Sequence, residues 1–261
     1  MEVFTSFAVL VLGVAYFAMA RRLLPLSLGQ TGRFPCVVWK TPEALVSIGV
    51  ALFFLLMAAM SFGKPPGKID LQSLYASLAL YGSIVLLLIG VLVFQDIDPR
   101  KAFGLQWRDW RQGIWLVPTV LILILPPIYA AQWLAYNLFA PDAAPQPIVT
   151  FLIKKNGWGE RLAVIAIAVV AAPVTEELVF RGCLYGVLRQ VGGRAVAIIV
   201  TSVLFALIHA HLASMPGLLM LAVCLSLIYE FTGSLWAPIA LHALFNAFSV
   251  YSTLQWPDFI K

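Results

Sequence analysis

Residues 161–183 read RLAVIAIAVVAAPVTEELVFRGC, and the fold turns on how this stretch is read. After Arg161 its first half is an unbroken apolar run of the kind that faces lipid. Its second half sets Glu176, Glu177 and Arg181 in the same hydrophobic segment. On insertion scales one such charge at mid-bilayer costs roughly 2.5–3.5 kcal/mol. Three uncompensated charges would cost about as much as the net stability of a whole domain. The charges must therefore be offset, or sit somewhere wet.

Composition identifies the solvent. Of 261 residues, 62% are hydrophobic and 11% charged, with mean hydropathy +0.94. Soluble domains are nearer half apolar and a quarter charged. The chain reads as an integral, all-α membrane protein, a polytopic bundle of transmembrane helices whose first partner is the lipid bilayer. A span needs about 20 residues. Candidates lie near 4–20, 43–62, 71–94, 113–139, 162–188, 195–213, 217–231 and 235–254, which predicts about eight spans.

The net charge of +5 carries no basic stripe with interleaved aromatics outside the membrane boundary, so a nucleic-acid partner is not expected. The basic residues instead follow the positive-inside rule. Only Glu2 precedes the first apolar stretch, and Arg21–Arg22 follows it. That favours an uncleaved first helix with its N-terminus outside, despite the AMA at 18–20 that resembles a signal-peptidase site. In this orientation Arg21, Arg22, Arg33, Lys40, Arg100, Lys101, Arg108, Arg111, Arg189 and Arg194 lie inside. Lys64, Lys68, Lys154, Lys155, Arg161 and Lys261 lie outside. The expected location is the cell membrane. Cys36, Cys183 and Cys224 are too scattered for a disulfide framework.

Ionisable residues divide the chain unevenly. The first four spans hold almost none, whereas His209, His211 and His242 all fall in the last hundred residues, with Glu176, Glu177, Arg181 and Asn246. Residues 1–140 read as scaffold helices, with an interfacial segment near 98–112 that mixes arginine with Trp107 and Trp110. Residues 160–254 read as the working half. Intramembrane ionisable groups are functional candidates by default.

Helical spacing sorts these groups. Glu177 and Arg181 are four apart with the acid first, the favourable order for an ion pair, so Glu177 is expected to neutralise Arg181. Glu176 is rotated about 100° from Glu177 and is the carboxylate left for chemistry. Pro173, one turn earlier, withholds a backbone donor and loosens the helix. Phe205 and His209 share a face, as do His242 and Asn246. His209 read alone is equally a hydrogen-bonded packing residue, and His211 meets the interface. An imidazole and a carboxamide aimed at one spot suit an oxyanion. Glu176, His209 and His242 could also form a His₂Glu zinc site, but HExxH is absent, as is GxSxG. A carboxylate-activated water needs no metal, so no cofactor is expected, zinc being the disfavoured option.

EELVFR at 176–181, FALIH at 205–209 and HALFN at 242–246 resemble, in order, the EExxxR, FxxxH and HxxxN motifs of the CPBP intramembrane proteases, also called the Abi or CAAX-protease family. The resemblance covers about residues 160–250. It implies an intramembrane endopeptidase that cuts a peptide bond of a membrane-associated protein or peptide, lipidated or not. It implies Glu176 as the base that deprotonates water, His209 orienting that water, and His242 with Asn246 on the oxyanion. Glu177, Arg181 and Phe205 would support the site. A non-catalytic immunity or regulatory protein that kept the constellation is the alternative. A proton-coupled transporter is disfavoured because no inverted repeat is visible.

Overall fold

In a computed structural model, residues 39–62, 69–105, 110–139, 141, 145–153 and 157–256 are described. The expected first span, Arg21, Arg22, Arg33, Cys36, Lys64, Lys68, Trp107, Arg108, Lys154, Lys155 and Lys261 lie outside them. The described residues form helices and no strand. Lipid offers no hydrogen bonds to a bare backbone, and helices satisfy theirs internally.

Helix α1 spans Thr41–Ser61, α2 Leu71–Phe94, α3 Pro99–Ala102, α4 Trp110–Phe139 and α5 Pro147–Ile153. Next comes a composite helix, in which α6 (Trp158–Ala166), π1 (Ile167–Ala171), α7 (Ala172–Glu177), π2 (Leu178–Leu184) and α8 (Tyr185–Ile208) follow without a loop. Helices α9 (Met215–Thr232) and α10 (Trp236–Gln255) complete the bundle. Asp70 caps α2, its side chain accepting from the Ser73 N–H at 2.8 Å. That bond favours the ionised form and holds the Asp70 carboxyl below its ordinary value.

The composite helix is the axis of the fold. Helices α1 and α9 pack on its C-terminal half, α2 packs on α7 and π1, and α10 packs on π1 and α7. Helix α4 closes the bundle against α9 and α10. The core contains Phe180, Tyr185, Phe205, Leu221, Leu225 and Tyr229, all fully buried. Leu45, Leu56, Leu86, Trp115 and Trp133 point outward, as lipid-facing side chains must.

Among the described residues, five helices are long and apolar enough to cross a membrane: 41–61, 71–94, 113–139, 158–208 and 215–232. The expectation of about eight spans is therefore high, for identifiable reasons. Two expected spans, 162–188 and 195–213, fall largely on the two limbs of the 158–208 segment, which counts once in that group although Gly193 separates the limbs. The last, 235–254, is a helix whose polar residues keep it outside that group.

The composite helix is broken once, at Gly193, with φ 80° and ψ 178°. This region of backbone space is essentially restricted to glycine. The break lets Arg189 and Arg194, on either side of it, both reach Glu230 of α9, at 2.6 and 3.1 Å. Glu230 is fully buried and also accepts from the Tyr185 hydroxyl at 2.8 Å. At the same end, Trp39 N–H donates to Gln190 at 2.9 Å and Leu235 N–H donates to the Phe103 carbonyl at 3.2 Å. The opposite end holds the turn after α8, where Gln146 donates to the Ser214 hydroxyl at 3.0 Å.

Candidate active site

The charged residues of the opening stretch sit at the junction of α7 and π2. Arg181 is fully buried, and its Nη1 donates to Glu177 Oε1 at 2.9 Å. Its Nη2 donates to the Ala222 carbonyl at 3.0 Å, and its guanidinium lies over the Phe205 ring, 4.6 Å from the centroid. The expected Glu177–Arg181 pair is present, but Glu177 does more than neutralise. The same Oε1 accepts from His242 Nδ1, also at 2.9 Å.

That second bond assigns the imidazole tautomer. Glu177 Oε1 already accepts from Arg181, and the same oxygen is the acceptor toward the ring. His242 Nδ1 must therefore carry a proton. Its Nε2 then faces Glu176, 3.9 Å from Oε2. This is too far for a direct hydrogen bond and close enough for a shared proton path through one small group. Glu176 Oε2 makes no hydrogen bond within the described protein. Its side chain is 12% exposed, so the carboxylate is buried without being sealed.

His209 ends α8 and behaves alike. Its Nδ1 is 2.7 Å from the Phe205 carbonyl, which can only accept, so Nδ1 again bears the proton and Nε2 is presented outward. Glu176 and His242 are both within electrostatic range of His209. Phe205 holds the group together: its ring is 4.9 Å from the His209 ring, 5.5 Å from the His242 ring and 5.5 Å from Phe180.

Asn246 makes a bond that its sequence spacing does not announce. Its Nδ2 donates to the Ala168 carbonyl at 2.8 Å, inside π1. His242 and Asn246 therefore share a face of α10 but serve different partners, Glu177 and Ala168.

His211 stays apart, its Nδ1 2.8 Å from the Ser214 hydroxyl. Among the described residues no group of three or more His, Cys, Asp or Glu side chains is spaced to hold a metal ion.

Two features escaped the sequence. Tyr81, half-buried on α2, comes within electrostatic range of Glu176, and no motif marks it. The Glu230 cluster joins residues 41 positions apart, which no local spacing rule detects. Only the charge of Glu230 inside an apolar span could have flagged it.

With this arrangement in place, comparison with known proteins becomes specific. Residues 158–248 match the family model for type II CAAX prenyl endopeptidase Rce1-like proteins. The matched region holds α7, π2, both site histidines and Asn246. Over these residues the chain is similar to the Rce1-like CAAX proteases. Among curated proteins, the membrane-embedded CAAX protease MroQ of Staphylococcus aureus is 34% identical over 175 residues, covering 64% of this chain and 65% of MroQ. The "Putative membrane peptidase YdiL" of Bacillus subtilis is 28% identical over 91 residues, covering 35% of this chain and 37% of YdiL. The chain thus spans under two thirds of the length of each. No solved structure matches significantly. The matched region coincides with the part of the chain where the ionisable residues collect.

Proposed function

We propose that the matched region hydrolyses a peptide bond of a membrane-associated protein or peptide, using a water activated by Glu176. The observation that carries this reading is the Glu177–His242–Glu176 row. Glu177 holds Nδ1 at 2.9 Å and turns Nε2 toward Glu176 at 3.9 Å. One carboxylate is committed to holding the ring, and the other is left uncommitted beside it.

In this reading Glu176 takes the proton of the attacking water, and His209 Nε2 orients that water from α8. The proton passes from Glu176 to His242 Nε2, whose N–H donates to the developing oxyanion before the proton reaches the leaving amine. Fixed dipoles in a water-poor site stabilise such charge better than bulk water does. Phe205 and Arg181 keep the histidines and Glu177 in register. Plasma-membrane location and an outside N-terminus belong to the same proposal, as does a lipidated or unlipidated peptide as substrate.

The test is the purified full-length chain in nanodiscs, assayed on matched peptides with and without a prenylated cysteine. Glu176→Gln should lower kcat by about 10² or more, the contribution typical of a general base, while leaving unfolding cooperative. Retained cleavage in Glu176→Gln would sink the assignment. Metal content is measured on the same sample, and stoichiometric zinc whose removal abolishes cleavage would replace the carboxylate mechanism with a metal-assisted one.

A further inference from the structure

We propose that Pro173 and Asn246 act as one device, in which Asn246 is a positioning residue that caps the backbone carbonyl Pro173 leaves bare. The inference rests on Glu176 being the catalytic base, and it concerns how that base is held.

The register of π1 leads to this conclusion. In an α-helix the Ala168 carbonyl would accept from the N–H of residue 172. Here the Ala172 N–H is spent on Ile167 instead, one position further back. In that wider register the next donor, at position 173, would serve Ala168. Position 173 is proline and has no N–H. The Ala168 carbonyl is thereby orphaned in a membrane-embedded helix, where an unmet backbone group is costly. Asn246 Nδ2 supplies the missing bond at 2.8 Å.

The geometry then propagates to the chemistry. Asn246 is one turn from His242 on α10, and Ala168 is two turns before Glu176 on the composite helix. The amide–carbonyl bond fixes α10 against π1, and that register brings His242 between Glu177 and Glu176. One amide proton of Asn246 is consumed in this role. The motif resemblance would instead use that amide on the oxyanion.

A double-mutant cycle separates the two roles, because an alanine at position 173 returns a backbone donor to Ala168. The four chains are wild type, Asn246→Ala, Pro173→Ala and the double variant, purified full length. In the Pro173 chain, Asn246→Ala should lower the unfolding midpoint by roughly 4 °C, as an unmet buried carbonyl would. It should also lower kcat at least about tenfold, with Asn246→Asp, which lacks the donor, behaving the same way. In the Pro173→Ala chain the same substitution should cost less than half as much in midpoint. Equal losses in both backgrounds would overturn the proposal and return the amide to the oxyanion. Should Pro173→Ala itself abolish cleavage, the midpoints decide by the same criterion. Activity retained by Glu176→Gln would instead refute the base, leaving the unfolding cycle intact.

Discussion

At the scale of single residues, Glu176 and Glu177 are neighbours with opposite duties. Glu177 is fully buried between Arg181 and His242, whereas Glu176 makes no hydrogen bond through Oε2. Removing one partner of a buried pair strands the other charge, at a cost of about 3–5 kcal/mol. Glu177→Gln should therefore lose stability as well as activity, visible as a lower midpoint in thermal unfolding. Glu176→Gln should lose activity at nearly unchanged midpoint. Similar midpoints for the two variants would mean that the brace and the base are misassigned. The pairing of Glu177 with Arg181 was legible in the sequence because both lie on one helix at a fixed spacing. The bond to His242 was not, since it joins residues 65 positions apart through a packing angle no local pattern encodes.

At the scale of elements, the composite helix works through its departures from α geometry. Two π segments flank α7, and insertions of this kind recur at functional sites. Pro173 predicts the loosening before Glu176 directly. The second π segment, after Glu177, carries no such marker, since LVFRGCL holds no proline. Within it Arg181 reaches the Phe205 ring of α8 and the Ala222 carbonyl of α9. Gly193 is the other departure, and its ψ of 178° is one a side chain resists. Gly193→Ala should destabilise by about 1–3 kcal/mol and loosen the Glu230 cluster. Gly90→Ala on α2 is the control: an added Cβ meets nothing within 4 Å, so no loss is expected. Equal effects of the two in an unfolding titration would show that Gly193 is not under conformational demand.

At the scale of the whole molecule, the two ends of the bundle differ in charge. Lys40, Arg100, Lys101, Arg189 and Arg194 gather at the end that holds Trp39, Phe103 and Glu230, while Arg161 lies at the other. The proposed orientation, which follows the positive-inside rule, turns the first end toward the cytoplasm. A cysteine at exposed Asp96, in a chain otherwise free of cysteine, should resist a membrane-impermeant maleimide in intact cells. A cysteine at exposed Trp256 should react. The reverse pattern would invert the orientation. Composition and apolar stretches were sufficient to read an all-helical bundle. The count of about eight exceeds the five long apolar helices of the described residues because the limbs on either side of Gly193 count once there and polar residues keep the 236–255 helix out of that group.

The break at Gly193 also shapes the lipid around the protein. From Arg194 to Ile208 the second limb has 15 residues, a rise of about 22 Å, against a hydrocarbon layer of about 30 Å. The first limb, Trp158 to Gly192, rises about 50 Å. One face of the bundle is thus too short for the bilayer and the adjoining limb too long. Acyl chains must shorten or tilt beside His209 to meet this stepped wall. A thinned patch of bilayer then borders Glu176, His209 and His242, and under the proposed function a peptide held near the surface has less hydrocarbon to cross.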